Sequence, residues 1–276
     1  MTSPGEPTTS IDLIHRVLAA DVAYTISRLQ VLERLPGNPI GVVYRKVGDN
    51  VTALMARHIP SPSFNRVVGQ RAGDERHIAP LAAWYREHGV TARFEMVPGD
   101  YDAALGRELA WQGYYQSGFH AALICRPGDA IAPTTALVER VTSAALMEDY
   151  LQAYMAGWGL PEKEHLQFKA NVRPWLGQPG WSLYLARVDG RPAAAATLYV
   201  HGDLGYCADA ATDPAFRRHG LQLALLHRRI ADARAAGVDF VFSGAAFLSA
   251  SHRNMERIGM RILFVRAIWT PLPEAQ

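Results

Sequence analysis

Residues 212–224 read TDPAFRRHGLQLA, and the rest of the chain is organised around them. At the centre stand Arg217-Arg218-His219-Gly220-Leu221-Gln222. An apolar run with strand character, Leu204 to Ala211, comes before it, and a helical pattern, Leu221 to Ala236, comes after. A glycine at the mouth of a helix lets the backbone approach a ligand, and the first turn of a helix carries N–H groups with no internal acceptor. Basic residues just ahead of that mouth favour an anion there. The segment therefore reads as a seat for a diphosphate, formed by the amides from Arg218 to Leu223 with Arg217 and Arg218 adding charge. Taken alone, the same residues are also a solvated basic loop before an ordinary helix.

The composition narrows the field. The chain has 276 residues, 49% of them hydrophobic and 20% charged, as in globular proteins with a sizeable core. A net charge of +2 argues against wholesale nucleic-acid binding. Cys125 and Cys207 make no disulfide framework, and no metal-ligand spacing is visible, so no metal is expected. The first residues, MTSPGEPTTS, lack the layout of a signal peptide, and no apolar run reaches the length of a bilayer. The expectation is a cytoplasmic protein with no membrane partner.

Outward from the loop, Asp189-Gly190 is a hairpin signal joining strands 182–188 and 192–201. A strand at 238–243, a helix from about Ser249 to Ile258 and a strand 260–269 complete that half. Residues 127–133 form the linker candidate. A strand at 136–140, a helix at 143–157 and a loop rich in Trp, Gly and Pro then lead to the hairpin. In the first half, Ser10 opens a helix that ends near Leu35, before two prolines. Strands follow at 41–45, 51–55, 90–97 and 120–125, with helices at 78–88 and 101–112. Phe64 to Gly69 is either a structural strand or part of a cleft wall. The two halves echo one another at about 147 residues: Gly89-Val90 with Gly237-Val238, Phe94 with Phe240, Gln112-Gly113 with Ile258-Gly259. Two units follow, 1–128 and 129–276, each a mixed α/β unit with a mostly antiparallel sheet flanked by helices.

The second half, over about residues 136–270, resembles the GNAT-type N-acyltransferases. Their phosphate loop has Arg or Gln, two variable residues, Gly, one variable residue, then Gly or Ala. Arg217 and Gly220 match it, and Gln222 departs at the last position. Asp213-Pro214 fits the usual approach to the loop, and Asn254-Met255-Glu256-Arg257-Ile258-Gly259-Met260 fits the terminal helix and its glycine step. Gln222 is expected to point outward. The resemblance implies coenzyme A as the diphosphate carrier and acetyl-CoA as the donor. The pantetheine arm would pair like a strand with Ala210, Ala211 and Thr212. Val68 to Glu75 stands at the matching place in the first half, where Asp74 and Glu75 oppose a diphosphate. This pattern resembles tandem members in which only the C-terminal copy, with an acyl-CoA site, binds the cofactor and the N-terminal copy is degenerate.

Direct attack of an amine on a thioester needs a base, a polarised carbonyl and a proton for the thiolate, and no protein nucleophile. Alternation places Cys207, Asp209 and Ala211 on one face of their strand. Asp209 is the nearest carboxylate, either a base or an acid tied to the backbone. Many family members carry a Tyr at the place of Met255, which cannot donate a proton. Ser251, one turn earlier, is the candidate catalytic replacement, or else a capping serine. Ser251 and Asn254 are also candidates for the pantetheine amides, and Arg253 for the adenosine phosphate. The cofactor-binding set is thus Ala210, Ala211, Thr212, Arg217, Arg218, His219, Gly220, Leu221, Gln222, Leu223, Ser251 and Asn254. Trp158, Trp175, Trp181 and Tyr184 line an acceptor pocket or fill the core. The expected activity is N-acetyl transfer to a small-molecule amine in a ternary complex, with a homodimer as the assembly considered. The rivals are an acyl-CoA sensor without catalysis and an interaction protein.

Overall fold

The computed structural model describes residues 9–128 and 138–273. Contacts group the chain into two units: a first made of Ser10–Ala121 with the segment from Phe264 onward, and a second made of Ala122–Leu263. The expected division at 128/129 differs from this in one large respect. The last strand joins the first unit, because its backbone pairs there. Most of the expected linker, residues 129–133, and the first two residues of the expected strand 136–140 lie outside the described residues.

The first unit opens with α1 (Ile11–Glu33), whose N-terminus is capped by Ser10 Oγ accepting from the Leu13 amide at 3.2 Å. The hairpin β1 (Val42–Val47) and β2 (Val51–Ala56) follows, then β3 (Arg66–Val68), α2 (Ile78–Glu87), β4 (Arg93–Met96), α3 (Ala103–Trp111) and the start of β5 (Tyr114–Cys125). Strand β3 pairs antiparallel with β2 and parallel with β4. The last strand of the chain, β11 (Arg261–Pro271), lies antiparallel to β4 with Phe94 opposite Trp269. Both faces of the sheet are covered. Val51, Ala53 and Met55 of β2 pack with Ile78, Leu81, Phe94 and Leu109, while Leu54 and Ala56 pack with Leu29, Leu32 and Phe64. That alternation is the period-two pattern of a strand buried on both sides.

A buried ionic cluster holds the same unit together. Arg66 donates to both oxygens of Asp21 at 3.0 Å and to Glu95 at 3.0 Å. Arg266, on β11, donates to Asp21 at 2.9 Å and to Glu95. Burial alone would raise both carboxyls. The Arg66 and Arg266 guanidiniums more than offset it, holding Asp21 at about 2 and Glu95 well below the usual carboxylate range. One strand end is thereby fixed by charge as well as by its ladder.

The second unit contains β6 (Val138–Arg140), α4 (Ala144–Trp158), α5 (Glu162–Val172), β7 (Trp181–Val188), β8 (Arg191–His201), β9 (Leu204–Thr212), α6 (Leu221–Ala235), β10 (Phe240–Ala246) and α7 (Ala250–Arg257). Strands β6 to β9 are antiparallel neighbours, and β10 runs parallel to β9. Asp189 (φ 47°) and Gly190 (φ 76°) make the expected two-residue hairpin. Helix α5 was not anticipated; its residues lie within the stretch that read only as a Trp-, Gly- and Pro-rich loop. Trp175, Trp181 and Tyr184 are buried and belong to the core, so of the aromatic candidates only Trp158 is left to face a cleft. Among the described residues no helix is long and apolar enough to cross a membrane.

Candidate functional site

The 212–224 stretch builds a cavity of about 640 Å³ within the second unit. After β9, a 3-10 turn over Pro214–Phe216 is held by Asp213, whose carboxylate accepts from the Ala215 amide at 2.9 Å. Arg218 (φ 67°) and Gly220 (φ 70°) both take left-handed backbone, which turns neighbouring N–H groups toward one side. His219 folds back over this loop. Its Nδ1 lies 3.1 Å from the Phe216 carbonyl and 3.0 Å from that of Arg217, so the nitrogen carries the proton and donates. His219 therefore braces the loop and, of the expected cofactor-binding residues, is the one that does not line the cavity. Helix α6 starts at Leu221 with Gly220 at its N-cap and no side chain capping it. Its first internal bond is from the Ala224 amide to the Gly220 carbonyl, so the amides of Leu221, Gln222 and Leu223 have no intrahelical acceptor.

The strand wall comes from a bulge. Thr197 of β8 faces Ala208, and Ala195 faces Ala211, so Asp209 and Ala210 together oppose the single Ala196. Asp209 has φ 46°, a left-handed conformation that Asp tolerates better than most residues. The bulge breaks the expected alternation: Ala210, Ala211 and Thr212 all line the cavity, whereas Asp209 does not. The Asp209 side chain is half-buried. Strand β10 pairs with β9 only over Leu204–Tyr206, and beyond that point Ser243 Oγ donates to the Cys207 carbonyl at 2.7 Å. That pairing ends before the segment of β9, Ala210 to Thr212, that lines the cavity. Burial pushes the Cys207 thiol up, which keeps it protonated and inert.

The third wall is α7, and here Gln222 reverses its expected orientation. It does not point outward but crosses from α6 to α7. Its Nε2 donates to Ser251 Oγ at 2.7 Å, and its Oε1 accepts from Asn254 Nδ2 at 2.8 Å. Asn254 Oδ1 in turn accepts from Arg257 Nη1 at 2.6 Å. Arginine has only donors, so it fixes the polarity of the whole chain: Asn254 must present its NH₂ to Gln222, and Gln222 its NH₂ to Ser251. The Ser251 hydroxyl is thus an acceptor from Gln222, and its proton is available to another partner. Met255 is buried at 4% exposure behind this face. Arg257, three residues after Asn254, lines the cavity, in place of the expected Arg253. Opposite, Gly157 and Trp158 at the end of α4 complete the enclosure.

Among the described residues three arginines (Arg217, Arg218 and Arg257) line this cavity, and no carboxylate does. Sequence reasoning found the strand, the loop and two α7 residues. It missed Gly157, Phe216, Ala250 and Arg257. Ala250 and Arg257 share a helix face with Asn254, a spacing that was legible; Gly157 acts by having no side chain, which leaves no signal.

Residues 132–247 match the family model for the acetyltransferase (GNAT) domain. This part of the chain is similar to GNAT domains, a family whose chemistry is acyl transfer from acyl-coenzyme A. A search of the curated proteins gives no match. Among solved structures, a GCN5-related N-acetyltransferase from Kribbella flavida has a TM-score of 0.64 at 17% identity, covering 92% of this chain and 96% of that one. A GCN5-related N-acetyltransferase from Sphaerobacter thermophilus has a TM-score of 0.56 at 15% identity, covering 93% and 90%. A tandem GNAT protein from the clavulanic acid biosynthesis pathway has a TM-score of 0.56 at 15% identity, covering 93% and 98%. At these identities the likeness is one of fold.

Proposed function

We propose that the second unit binds acetyl-coenzyme A and transfers its acetyl group to the amine of a small molecule. The observation that carries this is the cavity lined by three arginines and no carboxylate, at an uncapped helix mouth beside a bulged strand. A diphosphate is the group such a mouth stabilises best. Its seat would be the amides of Leu221 to Leu223, with Arg217 and Arg218 adding charge-assisted bonds. The pantetheine arm would lie along Ala210 to Thr212, beyond the last β9 residue that pairs with β10. An amine held at the end of that arm attacks the thioester carbon directly, and a β9 amide near Ala211 or Thr212 polarises the carbonyl oxygen. The carbon–sulfur bond then breaks, the nitrogen gives up a proton to water, and the thiolate takes one from water, so that amide and thiol are formed with no net proton change.

Ser251 is assigned to holding the cofactor. Its bond to Gln222, in the first turn of α6, keeps it beside the diphosphate seat, so the thiolate's proton is assigned to water. Base catalysis by Asp209 is not carried forward, since Asp209 is not among the residues that line the cavity. The succession β-β-β-α-β-α, seen from β1 to α3 and again from β7 to α7, supports a tandem arrangement of two like units.

One observation favours a second reading. Met255 offers no proton where the related enzymes are expected to have a Tyr, which suits a protein that holds acyl-CoA without using it. Calorimetry with acetyl-CoA, followed by thiol release over a panel of small amines, separates the two. Binding with amine-dependent thiol release supports the transferase; binding without it supports the sensor; no binding removes both.

A further inference from the structure

Helix α6 carries an arginine where its pattern calls for an apolar residue. Leu225, Leu226, Ile230 and Ala233 are buried on the same helix, and Arg229 among them is 1% exposed. A guanidinium stays charged inside a protein and is costly to bury unless its donors are used. The acceptors that use them here are three backbone carbonyls. Nε donates to Leu225 at 3.0 Å, and Nη1 donates to both Thr197 at 3.0 Å and Ala208 at 3.1 Å. Thr197 and Ala208 face one another across β8 and β9, immediately before the bulge at Asp209. A bulge interrupts the ladder and leaves backbone groups to be satisfied elsewhere. Arg229 therefore clamps the last regular pair on one side of the bulge. Through Leu225 it is also tied to the helix whose first turn is the diphosphate seat.

We propose that Arg229 is a positioning residue that sets the span between the diphosphate seat on α6 and the strand segment 210–212 that receives the pantetheine arm. This rests on the coenzyme A reading given above. An apolar residue would fill the same space but could neither bond the two carbonyls nor fix the strand relative to the helix. The conformation of Asp209, which turns Ala210, Ala211 and Thr212 together toward the cavity, depends on those carbonyls being held.

The test compares two ligands by calorimetry: coenzyme A, and 3′-phospho-ADP, which keeps the diphosphate and lacks the arm. Wild type should bind coenzyme A about tenfold or more tightly than 3′-phospho-ADP, as expected of a few backbone hydrogen bonds. Arg229→Met should keep its affinity for 3′-phospho-ADP within about threefold and lose most of the advantage of coenzyme A. Arg229→Lys, which keeps the charge and one bridging donor, should recover part of it. Should the methionine variant fail to fold by circular dichroism, Arg229→Lys and Arg229→Gln carry the comparison. A full coenzyme A advantage in the folded variants, or an equal loss for both ligands, overturns the assignment; equal loss is what a purely structural residue would give. Binding of neither ligand by wild type overturns the coenzyme A reading and this inference with it. Wild-type binding of both ligands without variant-dependent discrimination overturns only the role of Arg229.

Discussion

Gly157 gives two opposed expectations that one measurement separates. It lies in the last turn of α4, and a Cβ built on it would come within 2.7 Å of Ala211 Cβ, 2.8 Å of the Thr212 nitrogen and 2.9 Å of the Ala211 carbonyl carbon. Two of these three atoms are backbone of the bulged strand and cannot swing aside. Reaching ordinary contact at 3.4 Å means moving α4 or β9 by about 0.7 Å. Inserting a methyl into such a place costs about 1–3 kcal/mol. Helix propensity works the other way, since Ala is favoured over Gly by about 1 kcal/mol inside a helix. The balance predicts that Gly157→Ala destabilises the protein by about 1 kcal/mol, a drop of roughly 2–4 °C in melting temperature for a unit of this size. The same shift moves residues 210–212, so coenzyme A affinity should fall about fivefold or more. Gly106→Ala in α3 is the control. Its Cβ would meet the hydroxyl of Tyr101, the far end of a half-exposed side chain that can move away, so that variant should be neutral or more stable. Thermal melts and calorimetry on both variants decide it. A Gly157→Ala protein that melts higher than wild type, with unchanged affinity, would refute the close approach of α4 to the strand.

The other predictions are shorter. Gly220→Glu puts a carboxylate at the helix mouth in a left-handed position; no neighbour lies within 4 Å of its Cβ, so the fold should persist while coenzyme A affinity falls about 100-fold or more by calorimetry. Gln222→Ala removes the link between α6 and α7 and should weaken coenzyme A about five- to tenfold; unchanged affinity would show that the Arg257–Asn254–Gln222–Ser251 chain is idle. Asp21, held at about 2 against an ordinary 3.8, contributes stability that is present above about pH 4 and is lost as pH falls toward 2. The stability gap between wild type and Asp21→Asn in urea should therefore shrink by about 2 kcal/mol between pH 5 and pH 2, and a gap independent of pH would contradict the ionic cluster.

What could be read in advance was what local chemistry determines. Gly220 after two arginines, Asp189-Gly190 between apolar runs, and Ser10 before a helical pattern each carry their conformation in the residue type. What stayed hidden depends on partners distant in sequence. Nothing in the run from Cys207 to Thr212 announces a bulge, because the extra residue is defined only by its register against β8. The inward turn of Gln222 is set by Arg257, thirty-five residues away in the chain, and His219 looked like a ligand contact because its loop carbonyls had not yet been placed. The pairing of β11 with β4 joins residues far apart in sequence. Its sequence mark is Arg266 within the apolar run from Ile262 to Trp269, which gains meaning only once Asp21 and Glu95 are beside it.

The two units also differ at one position in a way that charge alone explains. In the second unit the mouth of α6 ends in glycine, its first amides are open, and the residues around it are basic. In the first unit the corresponding turn carries Asp74, largely buried, whose carboxylate accepts from the Arg71 amide at 2.9 Å. That bond goes to a loop amide and not to the helix start, but the carboxylate repels a diphosphate brought near it. No side chain caps the helical turns that follow Asp74 and His77, so what sets the first unit apart is the carboxylate standing before them, whereas Gly220 brings no charge to the mouth of α6. On the function proposed above, the same local fold is a packed element in one place and a phosphate seat in the other, and the residue that makes the difference is the one standing in front of the first turn.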